Sequence, residues 1–286
     1  MAMAPGIVGT ASTVAAIEQV RDKLRGALWG LFIGDALASP THWFYGGRAQ
    51  IVRAYGGPIT GYTKPSLTCE GSIMNKSNTG GAGRGSSQGD VIGTVINHGK
   101  KDYWKPGQSI HYHCTLEAGE NTLEASLVRL LLRIVAAAGG KFDADTFRRE
   151  YVQFMTTPGS HNDCYASTCH RMFFQNLVSG MPAESCPSND GHNVDTIDGL
   201  VLPTVTALAS VFEPQAAASA AVRACVKVTR KSAALEEYAV AWGALLREIV
   251  LGSPLRDAAL HACNSSRVLA KAARDVHQGR YVPVVA

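Results

Sequence analysis

The sequence predicts an all-α protein: a single-domain orthogonal helical bundle with long ordered loops forming a ligand cleft. Three observations carry this expectation. Apolar residues recur at helical spacing through most of the chain. Stops at Gly139-Gly140, Pro158-Gly159, Gly180, Pro214 and Gly252-Ser253-Pro254 fall between the periodic runs, where helix ends need them. One stretch, Gly46 to Leu116, is rich in glycine, serine and asparagine and has no sustained period.

The elements follow in chain order. Leu24, Leu28, Leu31 and Phe32 lie on one face of a helix over Thr13 to Leu37, ended by Pro40. Gly26, Gly30 and Gly34 recur on a neighbouring strip, an arrangement that calls for a close-packed partner, because alanine is the better helix former. The 46–116 stretch reads as loop, but Tyr62, Met74, Ile92, Val95, Ile96, Tyr103 and Trp104 are large enough to pack it on the helices. Asn121 to Ala138 carries Leu123, Leu127, Leu130, Leu131, Ile134 and Val135 on one broad face. Further helices are expected at Asp143 to Met155, Cys164 to Val178, Thr196 to Phe212, Gln215 to Thr229, Ala233 to Leu251 and Leu255 to Ala273. Residues 1–13 read as a disordered leader, leaving 14–286 as the domain.

Composition excludes several classes of function. A net charge of +4, from 27 basic and 23 acidic residues spread along the chain, provides no basic stripe for sequence-specific nucleic acid. The longest apolar run, Leu127 to Ala138, is interrupted by Arg129 and Arg133 and is short of the roughly 20 residues that cross a bilayer, so no membrane partner is expected. Seven cysteines without a CxxC pair argue against a disulfide framework and for the cytoplasm or another reducing compartment.

Two polar clusters stand directly before apolar helices. Glu117 to Thr122 (EAGENT) and Gly191 to Gly199 (GHNVDTIDG) would each gather oxygen groups at a helix start, where Asn and Thr can cap free N–H groups and Glu suits the positive end of the dipole. Capping is the simpler reading of the first cluster and accounts for one or two residues of the second. It leaves Asn193, Asp195, Thr196 and Asp198 together unexplained, and such oxygens also suit a hard divalent cation. His111-Tyr112-His113-Cys114 looks like half of a zinc site but has no second pair at ligand spacing. Gly71 to Arg84 offers backbone donors with Lys76 and Arg84 for a pyrophosphate, without the spacing of a P-loop.

The run from Arg25 to Trp43 (RGALWGLFIGDALASPTHW) resembles the opening signature of the ADP-ribosylglycohydrolase family, G-A-L-x-G-x-x-x-G-D-A-L-G, which is followed by an acidic residue at the mouth of the active site. His42 occupies that acidic position. The resemblance runs in order from about residue 23 to 274, and implies an all-α hydrolase that cleaves a ribosyl glycosidic bond, its magnesium ions gripping the ribose of ADP-ribose. The family's T-D-D-T motif falls on Gly119 to Thr122 and its G-G-D-x-D-T motif on Gly191 to Thr196.

The metal ligands so implied are Glu120, Asn121, Thr122, Asn193, Asp195 and Thr196. His42, Glu120 and Asp195 are the implied catalytic residues, and Ser72, Asn162, Asp163 and Tyr165 the substrate-binding ones. Asparagine at 121 and 193 and histidine at 42 leave Glu120 and Asp195 as the expected anions, so one magnesium ion, a weakened pair or none is expected, with Asp198 or Asp35 able to compensate. His42 can act as a base, hold a softer metal or simply pack beside Trp43, Phe44 and Tyr45. The expected partner is ADP-ribose or an ADP-ribosylated substrate. The alternatives are a binding module without turnover and a structural, crystallin-like protein. The resembled family commonly continues past the segment matching Gly279 to Ala286 with another helix that closes the bundle; either that helix is lacking or the sequence stops early, and the apolar patch then expected is one a homo-oligomer could cover.

Overall fold

A computed structural model describes residues 8–83, 85, 87–265 and 267–280. It is all-α, and among the described residues only two isolated bridges, Thr68 with Ile110 and Ile92 with Ile96, show β pairing. The helices are α1 (Val8–Ala38), α2 (Gly47–Tyr55), α3 (Leu123–Ala137), α4 (Ala144–Thr156), α5 (Thr168–Val178), α6 (Val201–Ala209), α7 (Gln215–Thr229), α8 (Ala233–Leu251), α9 (Leu255–Asn264) and α10 (Arg267–His277). Of the expected leader, residues 1–7 lie outside the described residues, as do Arg84 of the glycine-rich loop and residues 281–286.

Amphipathic faces build the core. Leu123, Leu127, Val128, Leu131 and Val135 of α3 meet Phe147 and Tyr151 of α4, Phe173 and Phe174 of α5, and Leu202 and Val205 of α6 in one buried cluster. A second cluster joins Ala207 of α6, Val222 and Val226 of α7, and Leu235 and Ala239 of α8. Asp143 and Ser232 cap α4 and α8, accepting from the N–H groups of Thr146 and Leu235 at 2.7 and 3.1 Å.

The 46–116 stretch packs as an ordered layer, with Met74, Ile92, Ile96 and Trp104 fully buried. It also contains α2 and short 3-10 turns at Met74–Lys76 and Lys101–Trp104. Gly81 seats this layer on α5: its φ is 85°, and a Cβ there would lie 2.3 Å from the Arg171 carbonyl oxygen.

Four expectations need correction. A Cβ on Gly26, Gly30 or Gly34 would meet nothing within 4 Å among the described residues, so that strip has no close-packed partner. Instead α1 packs through Val20, Leu24, Ala27 and Leu28 against Leu208, Val211 and Val250. The helix expected from Leu255 to Ala273 is two, because Ser265 follows α9 with its hydroxyl bonded back to the Ala262 carbonyl at 2.7 Å, competing with helix continuation. Residues 164–167 stay outside α5, held by side-chain bonds described below, and α6 begins at Val201 after a 3-10 turn at Ile197–Leu200.

Candidate active site

Asp35, near the end of α1, ties the signature helix to the start of α3. Its carboxylate accepts from Thr122 N at 2.8 Å, Thr122 Oγ1 at 2.6 Å and Asn121 Nδ2 at 3.0 Å, while Asn121 Nδ2 also donates to the Phe32 carbonyl at 2.8 Å. The α1 carboxylate thus satisfies the Thr122 N–H, one of the N-terminal groups of α3 that the helix itself cannot.

The adjacent Glu120 is held by one oxygen only. Its Oε2 accepts from Glu117 N at 2.8 Å and from Asn162 Nδ2 at 3.1 Å, and among the described residues its Oε1 forms no hydrogen bond. Glu120, Asn121, Asn162 and Asp163 line one cavity of about 520 Å³, together with Lys100, Arg129, His98, His161 and the turn at Gly159 and Ser160. Lys100 Nζ bonds Asn162 Oδ1 at 3.3 Å, and Arg129 has no ion-pair partner among the described residues. Cations beside a free carboxylate oxygen suit a ligand with an anionic portion and a hydroxyl-rich portion.

Asp163 is the hub behind this cavity wall. It is 1% exposed, accepts from Leu123 N at 2.9 Å and Tyr165 N at 3.2 Å, and takes Nδ1–H of His113 at 2.9 Å. Burial raises the Asp163 carboxyl, but His113 and the two backbone donors outweigh this and hold its pKa below the usual carboxylate value. Burial likewise opposes the His113 imidazolium, and the Asp163 charge prevails, lifting its pKa above that of an ordinary imidazole.

His113 Nε2 lies 2.7 Å from Nδ1 of His42, so Asp163, His113 and His42 form one chain. Burial, then the neighbouring His113 charge, presses the His42 pKa down to about 3. His111 is fixed as the Nε2–H tautomer: it donates to the Pro40 carbonyl at 3.0 Å while its Nδ1 accepts from His113 N at 3.0 Å. Tyr165 lies flat on Trp104, ring centroids 5.7 Å apart, and packs edge-on to Tyr112 and His113.

The remaining predicted residues lie elsewhere. Ser72 is buried, with its hydroxyl accepting from Met74 N at 3.3 Å, and does not line the cavity. The second motif does not line it either. Asn193 N–H is turned onto Asp190 Oδ1 at 2.9 Å, Thr196 Oγ1 accepts from Arg230 at 3.2 Å, and Asp195 is exposed without a hydrogen bond or ion pair among the described residues.

Asp198 is paired to the buried Arg230 at 2.5 Å, and Asp35 is fully occupied as described, so the geometry leaves neither free to supply a missing anion. Among the described residues no group of three or more His, Cys, Asp or Glu side chains is gathered to hold a metal. Glu120 is the one carboxylate at this point with an oxygen left free, and Asn121 beside it is neutral, so the residues as arranged offer a single anionic ligand, too little charge to hold two divalent cations side by side.

Sequence reasoning passed over His113 as the partner of Asp163, and Arg230 as the partner of Asp198. The His-Tyr-His run was the available signal for the first, since alternate residues on an extended segment can both face inward.

The family model described as ADP-ribosylglycohydrolase matches residues 16–282, and the chain belongs to this family. No curated protein matches it.

Proposed function

We propose that this protein hydrolyses a ribosyl, specifically an ADP-ribosyl, glycosidic bond to a modified acceptor, with the substrate held in the Glu120 cavity. The observation that carries the reading is Glu120 itself: one oxygen is fixed by two donors and the other is free, in a cavity that also contains Lys100 and Arg129. A carboxylate so oriented can take a proton from water as that water attacks the anomeric carbon, while its charge favours the oxocarbenium-like transition state. Lys100 and Arg129 then attract the diphosphate. Asn162 and Asp163 line the cavity that would take the substrate, and the Tyr165 N–H holds the Asp163 carboxylate at 3.2 Å.

His42 is a poor lone base at neutral pH, because its pKa lies near 3, so its part is to complete the chain that orients Asp163. A cytoplasmic or other reducing setting suits the seven free cysteines.

The second reading is a module that binds ADP-ribose without turnover, favoured by Asn121 and Asn193 standing at aspartate positions. Calorimetry with ADP-ribose, run beside chromatography of ADP-ribose released from a modified protein, separates the two. Binding with release supports the hydrolase, binding alone supports the module, and neither would overturn both.

A further inference from the structure

Two cysteines flank the hub of the site, and the chemistry above uses neither. Segments 113–115 and 162–164 lie against each other through a series of paired contacts. His113 bonds Asp163 at 2.9 Å, Thr115 Oγ1 donates to the Asn162 carbonyl at 2.7 Å, and Asn162 Nδ2 donates to the Thr115 carbonyl. Between these contacts, Cys114 Sγ lies 3.9 Å from Cys164 Sγ, both side chains are buried, and both thiols are free. Asn162 is also the residue that fixes Glu120 Oε2, so what moves this clasp moves Glu120.

We propose that Cys114 and Cys164 form a thiol oxidation site, closing to a reversible disulfide with a peroxide and controlling the cavity through Asn162 and Glu120. The two thiols differ in their surroundings: Cys114 keeps 9% of its surface exposed and Cys164 none, and the Cys164 thiol donates to the Tyr112 carbonyl at 3.1 Å, so Cys114 is the sulfur a peroxide reaches first. Cys114 sulfur attacks the peroxide oxygen, the O–O bond breaks, and a sulfenic acid and water result. Cys164 sulfur then attacks the Cys114 sulfur, an S–S bond forms, the S–O bond breaks and a second water leaves. In sum two thiols lose two electrons and two protons to one peroxide, giving a disulfide and two waters. Closure needs the sulfurs to approach from 3.9 Å to a bond length of about 2.05 Å, which displaces the Thr115–Asn162 contacts next to them.

The effect on turnover rests on the hydrolase reading, whereas formation of the bond does not. The full chain is treated with hydrogen peroxide, then with a dithiol, and followed by intact mass, non-reducing peptide mapping and ADP-ribose release. The wild type is expected to lose the mass of two hydrogens, to yield one peptide pair joined at Cys114 and Cys164, and to lose turnover by about tenfold or more, all reversed by dithiol. Cys164→Ser is expected to give no joined pair and to keep its turnover under brief peroxide exposure. No joined pair in the wild type, or a joined pair with unchanged turnover, would overturn the proposal. A joined pair in a protein that releases no ADP-ribose even when reduced would support the oxidation site and sink the hydrolase reading instead.

Discussion

His113 donates to Asp163 at 2.9 Å with both side chains withdrawn from solvent, and the same carboxylate accepts the first N–H of α3. One buried ion-paired contact therefore fastens the 111–116 loop, the 159–165 loop and the α3 start together, and the cavity wall depends on it.

Replacing Asp163 with asparagine removes the charge that His113 and two backbone N–H groups share. Loss of one partner of such a buried pair is expected to cost about 3 kcal/mol, measured as a lower urea midpoint at unchanged slope.

The pair also sets a pH dependence. His113 has a raised pKa when folded, so its contribution is complete below the unfolded imidazole value of about 6.5 and is lost as pH rises through the higher folded value. Asp163 has a lowered pKa, so its contribution is present above the unfolded carboxyl value of about 3.9 and is lost as pH falls through the lower folded value. Wild-type stability from this pair is expected to be greatest between those unfolded values. Thermal unfolding across pH should show Asp163→Asn falling furthest below the wild type there and approaching it on the alkaline side.

Asp35 joins α1 to α3 through three accepted hydrogen bonds. Asp35→Ala leaves Thr122 N–H without its acceptor and the Asn121 amide with the Phe32 carbonyl alone, and is expected to destabilise by about 2 kcal/mol. Thr122→Ala, which removes only the 2.6 Å hydroxyl bond, is expected to cost about half as much by the same chemical denaturation.

Arg129→Ala, on the exposed side of the cavity, is expected to weaken ADP-ribose binding by about tenfold and to leave the melting temperature unchanged. Calorimetry with ADP-ribose and with ribose alone would check this, since only the charged ligand should notice the change.

The helical framework was legible because each long helix repeats apolar residues at its own period: α3 buries the Leu123, Leu127 and Leu131 face its spacing indicates, and α7 and α8 have the expected bounds. Glu120, Asn121, Thr122 and Asp163 could be selected because polar clusters before apolar helices stand out. Their partners could not be read. Asp35, His113 and Asn162 reach these residues from sequence separations of 42 to 87, and no local pattern encodes a contact of that range. The glycine strip of α1 and the oxygen-rich 191–199 segment carried local signals whose tertiary context differed: the first faces open space, and the second is organised by Asp190 and Arg230.

The proposed role of the free Glu120 oxygen is best tested with Glu120→Gln, since glutamine keeps an acceptor for Glu117 N–H and Asn162 Nδ2 without the charge. Single-turnover release of ADP-ribose from a modified protein should fall by a factor of about 10² to 10⁴ in this variant, with ADP-ribose affinity within a few-fold of wild type. Release at the wild-type rate, with binding intact, would contradict the account.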